Sequence, residues 1–316
     1  MVATSVLFLV FAFQNAGPIE PRGHLTASAK VEATPAVDLR VDVPLVLIPV
    51  HVTTSLGKSV INLSQDSFHI FEDGVEQKIT HFAAEDAPIS IGFLFDASGS
   101  MRNKIRKSSE AAAAFFRMAN ADDEFFLIEF NERPKLAIPF TRDAEAIYKY
   151  ILHTKAVGRT SLLDAIQLAL GQMKRAKNLR KAIVIVSDGG DNRSRYTESE
   201  IKMAMREADV QVYAMGIFDP EDVPKRTPEE RNGPKLLDEL AFETGGHHYP
   251  VKNLDDLPAV CERIGSDLRN EYLVGYAPAN GEQDGSYRKV KVTMTPPPEM
   301  PPLRAHNRQG YYAPAQ

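Results

Sequence analysis

Three short polar loops hold the residues whose types and spacing could carry chemistry. The first, Asp96-Ala-Ser-Gly-Ser100, directly follows an apolar run and alternates Asp96, Ser98 and Ser100 with small residues. The second, Gly158-Arg-Thr-Ser161, precedes a helical pattern, and the third, Ser187-Asp-Gly-Gly-Asp-Asn192, follows another apolar run. Hydroxyl and carboxylate oxygens, with no His or Cys among them, suit a hard divalent cation. A small octahedral Mg²⁺ site also keeps waters and leaves a place for another ligand. Gly99 lets the first loop fold tightly enough for both hydroxyls to converge. Taken alone, this loop is explained equally well by helix capping, since a Ser ahead of a helix satisfies free backbone N–H groups without any metal. Asp191 and Asn192 could add to the third loop, but a turn rich in Gly and Asp needs no metal to explain it.

Other chemistries fit less well. An aspartyl-phosphate phosphatase also places an Asp after a central strand, but it needs a second acidic residue two positions later, where this chain has Ser98. A serine hydrolase would want a Gly-x-Ser-x-Gly elbow, which Ala97-Ser98-Gly99 does not supply. His247 and His248 are adjacent, so on a strand they point to opposite faces, and no third ligand lies at a useful spacing. Leu257, Val260, Cys261, Ile264 and Leu268 share one helical face, which makes the lone Cys261 a core residue rather than a reactive thiol.

The elements that must position the three loops are legible from periodicity. Strands fit at 89 to 95, 124 to 130, 135 to 140, 181 to 187, 210 to 217 and 247 to 251. Helices fit at 101 to 119, 142 to 152, 161 to 176, 197 to 208, 234 to 243 and 255 to 269. Ile89-Ser-Ile-Gly-Phe-Leu-Phe95 and Ala182-Ile-Val-Ile-Val186 are nearly continuous apolar runs, as central strands buried on both faces should be. The alternation implies a doubly wound α/β fold, a mainly parallel sheet with helices on both faces. All three loops should then open on one edge, at the carboxyl ends of the strands, the usual ligand crevice of such sheets. Ahead of this unit, strands are expected at 45 to 53, 67 to 71 and 77 to 82. After it they are expected at 271 to 276, 287 to 294 and 308 to 312, around the Pro-rich stretch 296 to 302. The last strands are too few to bury a core alone and should pack on the first ones as a split β-sandwich.

Asp96-x-Ser98-x-Ser100, then Thr160, then Asp188 followed by Gly189, resembles the complete metal-ion-dependent adhesion site of von Willebrand factor type A domains. The resemblance covers about residues 87 to 265, and the order and spacing of three parts make it specific where one Asp-x-Ser-x-Ser would be weak. The flanking segments, Phe71-Glu-Asp-Gly74, Tyr272-Leu-Val-Gly-Tyr276 and Gly310-Tyr-Tyr312, resemble a bacterial group of exported A-domain proteins known mostly from acidobacteria. The resemblance implies that Ser98 and Ser100 bind the metal directly, that Thr160 binds directly or through water, and that Asp96 and Asp188 supply negative charge. It implies Mg²⁺, with Mn²⁺ or Ca²⁺ as the other candidates, whose open position takes an Asp or Glu carboxylate from a protein partner. The expectation is a non-enzymatic interaction or adhesion module. A scaffold subunit with a purely structural metal is the main alternative, and a phosphatase-type hydrolase the weaker one.

Composition narrows the setting. The chain has 316 residues and a net charge of -5, which argues against general nucleic-acid binding. The basic run Lys174, Arg175, Lys177, Arg180 and Lys181 is read as a solvated helix end. The apolar run Val6 to Phe13 has the length of a signal-peptide core and is too short to span a bilayer. Export is therefore expected, with no membrane span in the mature chain. The organisation reads as a signal segment at 1–16, a linker at 17–40, an N-terminal β unit at 41–86, the A domain at 87–269 and C-terminal strands at 270–316. One cysteine excludes an internal disulfide framework.

Overall fold

The computed structural model describes residues 45–84, 86–218 and 227–315. The expected signal segment and linker, and residues 41–44, lie outside the described residues. Four strands come first: β1 (Val46–Thr54), β2 (Phe68–Glu72), β3 (Val75–Gln77) and β4 (Ile79–Ala83). Alternation then sets in with β5 (Ile89–Asp96), α1 (Ile105–Phe116), β6 (Glu124–Phe130), β7 (Pro134–Thr141), α2 (Ala144–Leu152) and α3 (Leu162–Met173). It continues through β8 (Arg180–Ser187), α4 (Glu198–Glu207), β9 (Gln211–Ile217), α5 (Pro228–Thr244), β10 (His248–Val251) and α6 (Leu257–Arg269). Strands β11 (Glu271–Tyr276), β12 (Tyr287–Met294), β13 (Leu303–His306) and β14 (Gly310–Tyr312) follow.

The central sheet runs β10-β9-β8-β5-β6-β7, parallel throughout except between β6 and β7. Period-two alternation sends the side chains of β5 to opposite faces. Ile89, Ile91, Phe93 and Phe95 pack with Phe115 and Phe116 of α1, Ile147 and Ile151 of α2, and Leu257, Cys261, Ile264 and Leu268 of α6. Leu94 faces the other way, toward Leu162 and Ile166 of α3, Ile201 of α4 and Leu237 of α5. Helices thus cover both faces, which is why the strands at 89–95 and 182–186 carry almost no polar residues. The expected doubly wound α/β architecture is present.

The flanking strands form two four-stranded antiparallel sheets, β13-β1-β11-β4 and β14-β12-β2-β3. Their inner faces share one core, with Ile48, Val50 and Val52 against Phe68, Ile70, Tyr272, Val274 and Val292. β1 pairs with β11 from Val46 opposite Tyr276 to His51 opposite Glu271, so segments before and after the α/β unit complete one sandwich.

Several boundaries differ from the sequence reading, each for a local reason. The strand expected at 77–82 divides: β3 pairs with β2 and β4 with β11, because the chain crosses between sheets at Lys78. α1 begins at Ile105, not at residue 101, since Gly99–Met101 form a 3₁₀ turn that ends the Asp96 loop. α5 begins at Pro228, ahead of the helix start expected at residue 234. Thr227 and Glu230 form a capping box, and Pro228 occupies the first turn, where a missing N–H is harmless. Residues 219–226 lie outside the described residues. Arg180 is no solvated helix end: it is buried at the start of β8, where Nη2 donates to Glu271 Oε2 at 2.7 Å.

Candidate metal centre

Asp96 is the last residue of β5 and Ser187 the last of its parallel neighbour β8, so the two side chains meet at the carboxyl edge of the sheet. The Ser187 hydroxyl donates to Asp96 Oδ2 at 2.5 Å and accepts from Gly189 N at 2.9 Å. Asp96 Oδ1 accepts from Ser98 N at 2.8 Å, which curls the loop back over the strand end. Ser98 Oγ and Ser100 Oγ then lie 3.0 Å apart. Neither fits the capping alternative. Ser98 makes no side-chain cap bond to the 3₁₀ turn, and the N-cap of α1 is Lys104, also without one. The two hydroxyls are instead hydrogen-bonded to each other at the strand end.

The second loop is joined to the first through the backbone. Gly99 N donates to Gly158 O at 2.9 Å, and a Cβ at Gly99 would sit 3.2 Å from that same oxygen, so glycine permits the close approach. Thr160, 2% exposed, donates its N–H to Asn192 Oδ1 at 3.0 Å, and Asn192 N donates to Thr160 O at 3.1 Å. The third loop therefore holds Thr160 in place. Asp191 turns away from the centre, where its Oδ2 accepts from Leu163 N at 2.8 Å at the start of α3, and from the Ser194 hydroxyl. Gly189 has φ +75°, and a Cβ there would lie 2.6 Å from Gly233 O of α5. That backbone-to-backbone packing fixes where Asp188 begins.

The electrostatics ask for a cation. Burial and the facing Asp188 carboxylate push the Asp96 carboxyl up to about 7, against hydrogen bonds from Ser187 and Ser98 that pull it down. Lys104 Nζ donates to Asp188 Oδ2 at 3.3 Å, while Asp188 Oδ1 is buried without a hydrogen-bond partner. A buried oxygen left unpaired is costly. The other side-chain donors that the first loop offers, the Ser98 and Ser100 hydroxyls and Asp96, are all oxygen, so the residues present fit a hard divalent cation. Among the described residues no group of three or more His, Cys, Asp or Glu is placed to hold a metal. A cation here would depend on hydroxyls as much as on the two carboxylates.

Outside the centre, Cys261 is buried and burial pushes its thiol up to about 12, as a core residue requires. His247 and His248 diverge as expected. His248 packs beside Phe218, and His247 lies 5.7 Å, ring to ring, from His306, which in turn lies 5.8 Å from His51. Sequence spacing could not show that trio, because its members come from β1, β13 and the residue ahead of β10. Two residues of the centre escape the sequence reading, and a third, Asn192, holds the Thr160 backbone, a role not weighed for it there. Ser187 was seen as part of a loop but not as the anchor of Asp96. Lys104 was absorbed into a helical stretch. Asn192, the clamp on Thr160, had only a turn-like context to recommend it.

The comparisons with known proteins bear on this unit. Residues 91–190 match the von Willebrand factor type A domain family. A protein of Borreliella burgdorferi described as uncharacterized is 24% identical over 199 residues, covering 56% of this chain. The match spans only 57% of that relative's own length. Among solved structures, proximal thread matrix protein 1 from the mussel byssus, with a zinc-occupied MIDAS motif, is 16% identical with a TM-score of 0.50. It covers 63% of this chain and 50% of its own. A von Willebrand factor type A protein from Catenulispora acidiphila is 11% identical with a TM-score of 0.48, covering 84% of this chain and 73% of its own. Asp96, Thr160 and Asp188 all lie in the stretch that matches the von Willebrand factor type A domain family, and the doubly wound unit around them has a fold consistent with that family.

Proposed function

We propose that this chain is a non-enzymatic, metal-dependent protein-interaction module. Ser98, Ser100 and Thr160 hold a divalent cation, Asp96 and Asp188 supply negative charge, and the cation bridges to an Asp or Glu carboxylate of a protein partner. Two observations carry the reading: Asp188 Oδ1 is buried without a hydrogen-bond partner, and the Ser98 and Ser100 hydroxyls bond to each other instead of capping a helix. The cation supplies an electrostatic bridge, since a dication incompletely neutralised by its own site attracts a further carboxylate. The chain's residues do the rest: Ser187 and the Ser98 N–H orient Asp96, Lys104 holds one oxygen of Asp188, and Asn192 holds the Thr160 backbone. Mg²⁺ is the foremost candidate, with Mn²⁺ and Ca²⁺ next, and the zinc-occupied motif of the mussel protein supports a divalent ion at such a site.

We place the module in an exported protein, on the apolar run Val6 to Phe13. Among the described residues no helix is long and apolar enough to cross a membrane. We take 87–269 as the A domain and the strands on either side as the sandwich it is set into. Calorimetric titration of Mg²⁺, Mn²⁺ and Ca²⁺ into the protein and into Asp96→Ala and Ser98→Ala tests the site: saturable one-site binding lost in both variants is expected. Equal affinity in all three proteins would end the assignment. A chelator-sensitive partner interaction separates a bridging metal from a purely structural one.

A further inference from the structure

We propose that a groove between α6 and the loop after β1 is a second protein-docking surface, one that takes an extended partner segment pairing apolar residues with Asp or Glu. It lies at the opposite end of α1 from the metal loop, and the inference stands whether or not that loop holds a cation. The groove has a volume of about 1170 Å³ and follows one face of α6, where Ala259, Glu262, Arg263 and Ser266 recur at helical spacing. Leu56, Ile61, Met300 and Leu303 line it from the flanking segments, and Met118 from the carboxyl end of α1. Leu56 is 92% exposed in a tight turn where Gly57 N donates to Thr54 O at 2.9 Å. Turns favour Gly, Asn, Asp, Pro and Ser, so nothing local asks for leucine there. Ile61 is 51% exposed and Met300 40%. Apolar side chains scattered singly over a surface need no account, but these gather in one groove, as they do at a site of contact.

The charges select the partner. The whole chain carries -5, yet the groove sets Lys58, Arg117 and Arg263 against only Glu262 and Asp267. Asp267 is buried with its oxygens engaged, accepting from the Ser59 hydroxyl at 2.7 Å and from the Tyr249 hydroxyl. Arg263 lies over the Tyr249 ring and donates to Gly57 O. Lys58 and Arg117 are exposed, and neither forms an ion pair among the described residues. The apolar lining supplies binding strength, and the basic rim favours an acidic segment over a basic one. α6 has 13 residues and is about 20 Å long, a length that holds about six residues of extended chain. Met118 and Met300, unbranched and adaptable, fit partner side chains of more than one shape.

The test uses the full chain in excess EDTA, which silences the metal loop. A random dodecapeptide phage library selected on it should yield segments that combine leucine-like residues with Asp or Glu. By fluorescence anisotropy, an enriched peptide should bind Leu56→Ser and Arg117→Glu about tenfold more weakly than the wild type. Replacing its acids by Asn and Gln should weaken it likewise, and Mn²⁺ should leave its affinity unchanged. In methionine methyl spectra the peptide should shift Met118 and Met300 but not Met101, which is buried in the turn that ends the metal loop. Both substitutions replace exposed side chains, so circular dichroism should show the fold intact, and Lys58→Glu stands in for either variant that does not fold. The inference falls if no peptide is enriched, if the enriched peptides lack acids, or if either folded variant binds as the wild type does. Binding that requires Mn²⁺ would overturn it in favour of the metal crevice and leave the metal reading standing. Binding to phosphatidylglycerol vesicles that is lost in Leu56→Ser would overturn it too, by making the groove a membrane contact.

Discussion

Ser187→Ala should weaken the metal-free fold by about 3 to 5 kcal/mol, although it deletes a single oxygen. That hydroxyl has two buried partners: it donates to Asp96 Oδ2 at 2.5 Å and accepts from Gly189 N at 2.9 Å. Ser187 and Asp96 are both 0% exposed, so no bulk water replaces it. A hydrogen bond to a charged group contributes about 1.5 to 3 kcal/mol, and leaving a buried N–H unsatisfied costs about 1 to 3 kcal/mol more. Against a total stability of about 5 to 15 kcal/mol this is a large fraction. The assay is urea unfolding followed by circular dichroism in excess EDTA. With a slope of about 3 kcal/mol per M, the midpoint should move down by about 1 M or more. Repeating it in saturating Mn²⁺ should shrink the difference without abolishing it, since a bound cation can restrain Asp96 but cannot accept from Gly189. A loss below about 1 kcal/mol in EDTA would refute the claim that Ser187 anchors the centre.

Asn192→Ala removes the acceptor for Thr160 N, and calorimetry should find metal affinity reduced several-fold with global stability lowered by only about 1 kcal/mol. Glu271 accepts from Arg180, Gln211 and Tyr213 in the buried seam between the A domain and β11. Glu271→Ala should therefore cost about 3 to 5 kcal/mol in urea unfolding. Burial, with His51 and His247 nearby, holds the His306 imidazole down at about 4, and burial lowers His247 as well. Unfolded histidines take their protons near 6.5, so the unfolded chain binds protons that the fold refuses. This stability is intact above about pH 6.5 and is lost as pH falls toward 4. His306→Gln should flatten that loss by about 2 kcal/mol, read from unfolding curves at pH 7 and pH 4.5.

Much of the centre was legible because its oxygen donors lie on loops that follow strongly patterned strands. Phe95 and Val186 end apolar runs that could only be central strands, and their patterning alone is enough to bring Asp96 and Ser187 to the same edge of one sheet. What stayed hidden depends on distance in sequence. Lys104 meets Asp188 across the crevice, and no periodicity of α1 announces it. Arg180 looked solvated because its neighbours are basic, while its partner Glu271 lies beyond the whole remainder of the A domain. The start of α5 was obscured by Asn232-Gly233-Pro234, which reads as a stop. The Thr227 capping box and packing of Leu236, Leu237 and Leu240 against the sheet override that signal. β13 was masked by the prolines ahead of it, and its pairing with β1 supplies what local propensity does not.

The pairing of β1 with β11 also dictates an order of events during folding. These neighbours are separated in the chain by the entire A domain, so the sandwich cannot close early without ordering a very long loop. Once the A domain has formed, its entry and exit strands emerge already close together, and most of that closure entropy has been met by its own contacts. The sandwich should therefore be the late, slow step, as contacts of high sequence separation generally are. During synthesis, β1 must wait as an exposed apolar edge until the segment carrying β11 emerges, a period in which pairing with another chain competes. Dependence on molecular chaperones should thus centre on β1, far from the metal crevice.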